Sequence, residues 1–241
     1  MYGFTVLLII GAYLLGSAPH LAWLARLHGS NLDGDFHIGL WQRAGKLIGV
    51  IGFLGEFAKG AIPVLVAKWL GFSPLATGLA GLAAVSGQMW PVFSRFDGEK
   101  GNSIGIGMVA ALVPNATLLA LVPIIVSIAI RTVPRLLKSH KFPDEQPLIG
   151  GAPSRSLPLG MATGFLVVTI ASWWQGEPPA IIGCCSALFL LIIIRRLTAG
   201  LSVDLKTSRN LRAIFLNRFL YDRGIVQWRK ETSSNPDTRP K

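Results

Sequence analysis

The chain has 241 residues, of which 51% are hydrophobic and only 15% charged, and it carries a net charge of +11 with a mean hydropathy of +0.51. This balance excludes an ordinary soluble domain, where about a quarter of residues are charged, and a disordered binding module, which lacks apolar content. The apolar residues fall in runs long enough to cross a bilayer, which takes about 20 residues per helix. The expected fold class is therefore an all-α polytopic membrane protein.

In chain order the runs are 5–25, 47–70, 73–93, 102–130, 157–174 and 178–194. No basic n-region or small-residue cleavage site accompanies the first, so it reads as a retained helix rather than a secretion signal. Orientation follows from Lys and Arg placement, because cytoplasmic loops keep positive charge. Four segments hold all the Lys and Arg except Lys59 and Lys68: Arg26 to Lys46, Arg95 to Lys100, Arg131 to Arg155, and the tail from Arg195, while the links 71–74 and 175–179 hold none. Six crossings cannot place all four on one side. Dividing 102–130 at Pro114-Asn115, into 102–113 and 116–131, supplies a seventh segment and repairs the parity. The first piece spans only about 18 Å at ~1.5 Å per residue, which suits a recessed helix packed on protein.

These readings give about seven transmembrane or partly spanning helices in an integral domain, 1–200, with the amino terminus outside. The remainder, 201–241, is expected to be a basic cytoplasmic tail with a disordered end and an amphipathic helix. Leu211, Ile214, Phe215 and Phe219 fall on one face of that helix, ringed by Arg209, Arg212, Arg218 and Arg223, a pattern suited to anionic lipid. No helix-turn-helix or aromatic-interleaved module accompanies the charge, so membrane lipids rather than nucleic acid are the expected partner. The adjacent Cys184 and Cys185 read as packing residues in the last run. The loop 134–156 is rich in Pro and Gly.

Three places carry candidate chemistry. The stretch 87–107, GQMWPVFSRFDGEKGNSIGIG, leaves an apolar helix through aromatics and turns at Gly98, Lys100 and Gly101 into the short helix, where Ser103 lies in the first turn. Glycines let amide groups point at an anion, a helix N-terminus adds partial positive charge, and a lysine adds a full one; a Gly-rich turn with a snorkelling lysine is the plainer alternative. Glu56 and Lys59 stand three residues apart inside 47–70 and share a face, either lining a polar cavity or pairing to orient the helix. The first loop gathers Gly34, Asp35, His37, Gly39 and Arg43, residue types able to hold a phosphate ester.

With these residues in view, the chain resembles the acyl-phosphate-dependent glycerol-3-phosphate acyltransferases of bacteria, the PlsY-type family. GSAP at 16–19, which contains Ser17, is similar to the family's GS-x-P, and Gly29 falls where its first span ends. Glu56 to Gly60 is similar to its D-x-x-K-G, and 87–101 to its G-H-x-x-P-V-F-x-x-F-x-G-G-K-G. The departures are specific. GDFHIGLWQ stands where the family has G-S-G-N-x-G-A-T-N, so that Asp35 replaces a Ser, His37 an Asn and Gln42 an Asn; Gln88 replaces a His and Glu99 a Gly. A third family motif, H-R-x-N-I-x-R, is matched best at 207–213, where Asn210 and Arg212 survive.

The resemblance implies transfer of a fatty acyl group from acyl phosphate to glycerol 3-phosphate in phospholipid biosynthesis, at the cytoplasmic side of the bacterial inner membrane. It implies no metal, no cofactor and no acyl-CoA. It makes Lys100, Asp35 and His37 the catalytic candidates, the last two as general bases beside the substrate's own phosphate. Ser17, Gly34, Gly39, Arg43, Lys59, Gly98, Gly101, Ser103, Asn210 and Arg212 become the substrate-binding candidates. Two other readings stand beside it: a paralogue of the same fold with another acceptor or none, and a small transporter, which internal repeat symmetry would mark.

Overall fold

Proline sets most of the helix boundaries. The computed structural model describes residues 2–28, 44–138, 156–208 and 210–222, and among them the elements are all helical. They are α1 (Tyr2–Ser17), α2 (His20–Leu27), α3 (Lys46–Trp69), α4 (Pro74–Met89), α5 (Asn102–Leu112), α6 (Pro114–Lys138), α7 (Leu157–Trp174), α8 (Pro179–Thr198), α9 (Leu201–Thr207) and α10 (Leu211–Tyr221), with a 3₁₀ turn at Val92–Ser94. Pro74 and Pro179 open α4 and α8, where the missing amide hydrogen would have found no helical partner anyway. Ser73 caps α4 by accepting from the Ala76 amide at 3.3 Å.

The expected run 5–25 is broken rather than continuous. Pro19 drives Ala18 out of the helical region and denies α1 a further amide hydrogen, so the chain steps before α2 begins. The expected 73–93 ends early, at Met89, because Pro91 lies in extended conformation beyond it. The division of 102–130 falls at Val113, one residue before Pro114 opens α6.

Among the described residues, Gly3–Leu27, Lys46–Trp69, Leu157–Trp174 and Pro179–Thr207 are long and apolar enough to cross a bilayer, and α5 and the first part of α6 are shorter apolar helices. With α4 these make the seven segments of a polytopic α-helical membrane protein. α4 is the central element: it contacts α1, α3, α5 and α8, and Ala80, Ala84, Val85 and Met89 are fully buried.

Lipid is as apolar as leucine, so helices associate here by close backbone approach and polar contacts rather than by excluding water. The approach is made at glycines. A Cβ on Gly16 would overlap the Ala84 carbonyl, and one on Gly87 the Tyr13 carbonyl, which seats α1 on α4. A Cβ on Gly60 would overlap the Ile104 carbonyl, and one on Gly107 the Phe57 carbonyl, which seats α3 on α5. Large side chains point outward instead: Phe4, Leu7, Trp69, Trp173 and Trp174 are all exposed on the protein surface, as lipid-facing and interfacial residues are.

The two ends of the bundle differ in charge. At one end Lys68 donates to the Ala111 and Leu112 carbonyls at 2.7 and 2.9 Å, satisfying the last turn of α5. At the other end stand the α4–α5 turn, the last turn of α8 with Arg195 and Arg196, and the terminal helices α9 and α10. Ile214 of α10 is fully buried, and Arg218 is buried in a pair with Asp204 of α9 at 2.7 Å.

Candidate active site

The turn from α4 to α5 is held in an unusual shape by its neighbours. Arg95 and Phe96 both adopt positive φ, 52° and 62°, a left-handed conformation that non-glycine residues seldom take and that surrounding contacts must impose. The contacts are visible. The Phe96 amide donates to the Pro91 carbonyl at 2.9 Å and the Asp97 amide to Ser94 at 3.0 Å. Gly98 lies so close to the end of α4 that a Cβ would overlap the Gln88 carbonyl, and Gly101, at φ 75°, serves as the N-cap of α5.

Arg195 clamps this turn from α8. Its guanidinium donates to the Gly98 carbonyl at 2.5 Å and the Glu99 carbonyl at 3.3 Å, lies 3.6 Å from the Asp97 carboxylate, and stacks 5.7 Å from the Trp90 ring centroid. From α1, Tyr13 donates to the Trp90 carbonyl at 2.6 Å. Two helices outside the turn, α8 and α1, therefore fix one short loop.

The result presents Lys100 beside a helix N-terminus that no side chain caps. The first amides of any α-helix have no partner within it, and their aligned dipoles favour an anion. Asn102, in the first turn, keeps its amide oxygen buried without a hydrogen-bond partner, as does Gln88 on α4. Ser103 is half-buried in the same turn. Gly98, Lys100, Gly101 and Ser103 are thus brought together.

Glu99 does not pair with Lys100. Its carboxylate accepts from the Gln88 side chain at 3.5 Å, and its amide donates to the Gln88 carbonyl at 3.2 Å. The two positions at which this stretch departs from the family pattern therefore touch one another. Lys100 turns instead to Asp222, at the end of α10, meeting its carboxylate at 2.9 Å and its carbonyl at 2.7 Å.

Ser17 and Lys59 lie deeper. Ser17 is buried and donates to the Gly87 carbonyl at 3.1 Å. Lys59 donates to the Ala18 carbonyl at 2.9 Å and to Glu56 at 3.3 Å, and lies 3.4 Å from His20, which itself stands 3.3 Å from Glu56. The break after α1 that Pro19 creates is what frees the Ala18 carbonyl for Lys59. Asn210 is the N-cap of α10, accepting from the Ala213 amide at 3.2 Å. Arg212 is exposed one residue into that helix. Both sit at the opposite end of α10 from Asp222, about 16 Å along an 11-residue helix, so they do not join Lys100. Gly34, Asp35, His37, Gly39 and Arg43 lie outside the described residues.

Sequence reading did not single out Arg195, Arg196, Asp222, Tyr13 or His20. The two arginines entered only as topogenic charge, although a doubled arginine in the last turn of an apolar span also sits on that helix's negative end.

Comparison with known proteins follows this geometry. A sequence model of the family described as glycerol-3-phosphate acyltransferase matches residues 6–202, which covers the bundle and leaves Asn210, Arg212 and α10 beyond the match. A glycerol-3-phosphate acyltransferase of Pseudomonas aeruginosa (strain LESB58) is 34% identical over 168 residues, 67% of this chain and 89% of that protein. One of Geobacter metallireducens is 40% identical over 119 residues, 47% of this chain and 61% of that protein. Crystal structures of PlsY (YgiH), an integral membrane glycerol 3-phosphate acyltransferase, match with a TM-score of 0.63 at 27% identity: the lysophosphatidic acid form over 84% of this chain and 92% of that one, the glycerol 3-phosphate form over 85% and 93%.

Proposed function

Because the chain belongs to the glycerol-3-phosphate acyltransferase family, we propose that it transfers a fatty acyl group from acyl phosphate to glycerol 3-phosphate, releasing inorganic phosphate and lysophosphatidic acid. The observation that carries this reading is the α4–α5 turn: an uncapped helix N-terminus, two glycines and Lys100, clamped by Arg195. Both substrates carry a terminal phosphate group, and this is the chemistry that amides and a lysine recognise.

The hydroxyl oxygen of glycerol 3-phosphate attacks the acyl carbonyl carbon, the bond from that carbon to the phosphate oxygen breaks, and phosphate leaves with the bonding pair. The hydroxyl proton passes to a base, for which the substrate's own phosphate, Asp35 and His37 are the candidates. Acyl phosphate is already activated, so the protein's work is to hold two anions together and stabilise the developing oxyanion. Lys100, Gly98, Gly101 and Ser103 form one wall of the proposed site; Gly34, Gly39 and Arg43 of the first loop are the further proposed substrate-binding residues. Ser17 and Lys59 support it from beneath. Asn210 and Arg212 are the weakest of the binding candidates, being placed at the far end of α10.

Gathering of the turn, Arg195, Arg196 and the basic terminal helices at one end of the bundle supports a cytoplasmic active side in the bacterial inner membrane. A reporter fused after Lys241 is expected to read as cytoplasmic.

The test is direct. Purified protein in detergent, given acyl phosphate and glycerol 3-phosphate, is expected to release phosphate and form lysophosphatidic acid detectable by mass. The contact between Gln88 and Glu99 favours one second reading, a changed acceptor, so other polyol phosphates belong in the same assay. No phosphate release with any acceptor would remove the enzymatic reading.

A further inference from the structure

Asp222 is built into the molecule as though it were a ligand. It lies at the C-cap of α10 with φ 55°, a left-handed conformation that Asp tolerates better than most residues, and it is 8% exposed. Its carboxylate stands 2.9 Å from Lys100 Nζ and 3.5 Å from Arg196 Nε, and its carbonyl also accepts from Lys100 at 2.7 Å. Its Oδ1 is buried with no hydrogen-bond partner, so the carboxylate is held there by charge more than by directed bonds.

The two cations are held differently. Arg196 is buried and fixed by donating to the Phe219 carbonyl at 3.1 Å and to the Pro158 carbonyl, so its charge stays in place whatever Asp222 does. Lys100 is 43% exposed, and every partner it has among the described residues belongs to Asp222. α10 is anchored one turn before this contact, through Arg218 to Asp204 at 2.7 Å, and a turn further back through the buried Ile214, so the anchors do not depend on the Asp222 carboxylate. It also lies beyond residues 6–202, the part shared with the family.

We propose that Asp222 is an internal competitor: its carboxylate occupies, between Lys100 and Arg196, the position that a substrate's terminal phosphate group takes, and substrate binds by displacing it. This rests on the reading of the α4–α5 turn as the phosphate site. A terminal phosphate dianion brings about twice the charge and three oxygens to the same two cations and the α5 amides, so it wins when abundant. The closed contact raises the concentration at which it does.

The probe is inorganic phosphate, titrated into the purified full-length chain in detergent by calorimetry or by ³¹P line broadening. Asp222→Asn keeps the shape and removes the charge; Asp222→Gly keeps the left-handed turn with no steric strain. Either variant is expected to bind phosphate about five- to tenfold more tightly than the parent. Unchanged or weaker binding in a folded variant overturns the proposal and leaves Asp222 as a helix cap. Lys100→Ala placed in the Asp222→Asn background is expected to abolish binding; phosphate that still binds there would mean that the turn is not the phosphate site, a failure of the earlier reading. Steady-state kinetics separates the two possible sources of the phosphate: the KM that falls in Asp222→Asn, for glycerol 3-phosphate or for acyl phosphate, names the substrate that competes, and a fall in neither counts against the proposal.

Discussion

Lys59 and Lys100 are both lysines near the same end of the bundle, and they are solvated in opposite ways. The Lys59 side chain is 9% exposed and takes its partners from two different elements, Glu56 on its own helix and the Ala18 carbonyl at the break between α1 and α2, with His20 alongside. Lys100 is 43% exposed and takes both of its partners among the described residues from one residue at the end of a terminal helix. A buried charge compensated by the elements it packs between cannot exchange partners without parting those elements. A charge compensated by the end of one helix can. The first arrangement is built to hold helices, the second to trade one anion for another.

The sharpest way to break this contrast is at Glu56. Removing one member of a buried pair strands the other charge, at about 3–5 kcal/mol, so Glu56→Ala is expected to unfold at a markedly lower temperature in detergent. The double variant Glu56→Leu with Lys59→Met removes both charges and is expected to recover most of that loss. Its turnover then decides the role of Lys59: retained activity takes it out of the substrate-binding set, whereas a folded but inactive double variant restores it.

Lys100→Ala is expected to do the reverse. Loss of a positioned cation from a phosphoryl or oxyanion site lowers turnover by about 10²–10³, roughly 3–4 kcal/mol, while Asp222 keeps Arg196 as a counter-charge, so the melting temperature falls less than in Glu56→Ala. Turnover within threefold of the parent would show that the turn does not carry the chemistry.

The same contrast explains what could be read from residues alone. Apolar runs and the positions of Lys and Arg were enough for the seven segments, and for the short recessed helix at 102–113, because a bilayer constrains length and charge more tightly than water does. The break after Ser17 is local proline chemistry that the apolar run concealed. The wall at Gly98, Lys100 and Gly101 was legible because turn, glycine and lysine are contiguous. Asp222 was not, because its meeting with Lys100 spans 122 positions and nothing in its neighbourhood marks it. Arg218 fell by spacing among the cations facing lipid, yet it is buried on Asp204, since a helical period places residues on faces without saying which face meets protein.

Glycine packing gives a smaller effect. A Cβ at Gly60 would overlap the Ile104 carbonyl, which is backbone and cannot swing away, whereas one at Gly11 meets nothing within 4 Å. Gly60→Ala is expected to destabilise by about 1–3 kcal/mol through overpacking, and Gly11→Ala to be neutral or slightly stabilising through helix propensity. Equal melting temperatures for the two would show that α3 and α5 are not packed through their backbones.

The smallest effect discriminates by sign. Asn210 caps α10 through the Ala213 amide, and replacing such a cap with alanine weakens a helix by about 1 kcal/mol. If Asn210 held substrate, Asn210→Ala would raise the KM for a phosphate substrate tenfold or more. As a cap whose helix delivers Asp222 to Lys100, it acts oppositely: a looser α10 releases the carboxylate more readily, and phosphate binds up to about fivefold more tightly, the equivalent of ~1 kcal/mol. A phosphate titration of this one variant therefore separates a contact made at the substrate from a contact made through the helix that competes with it.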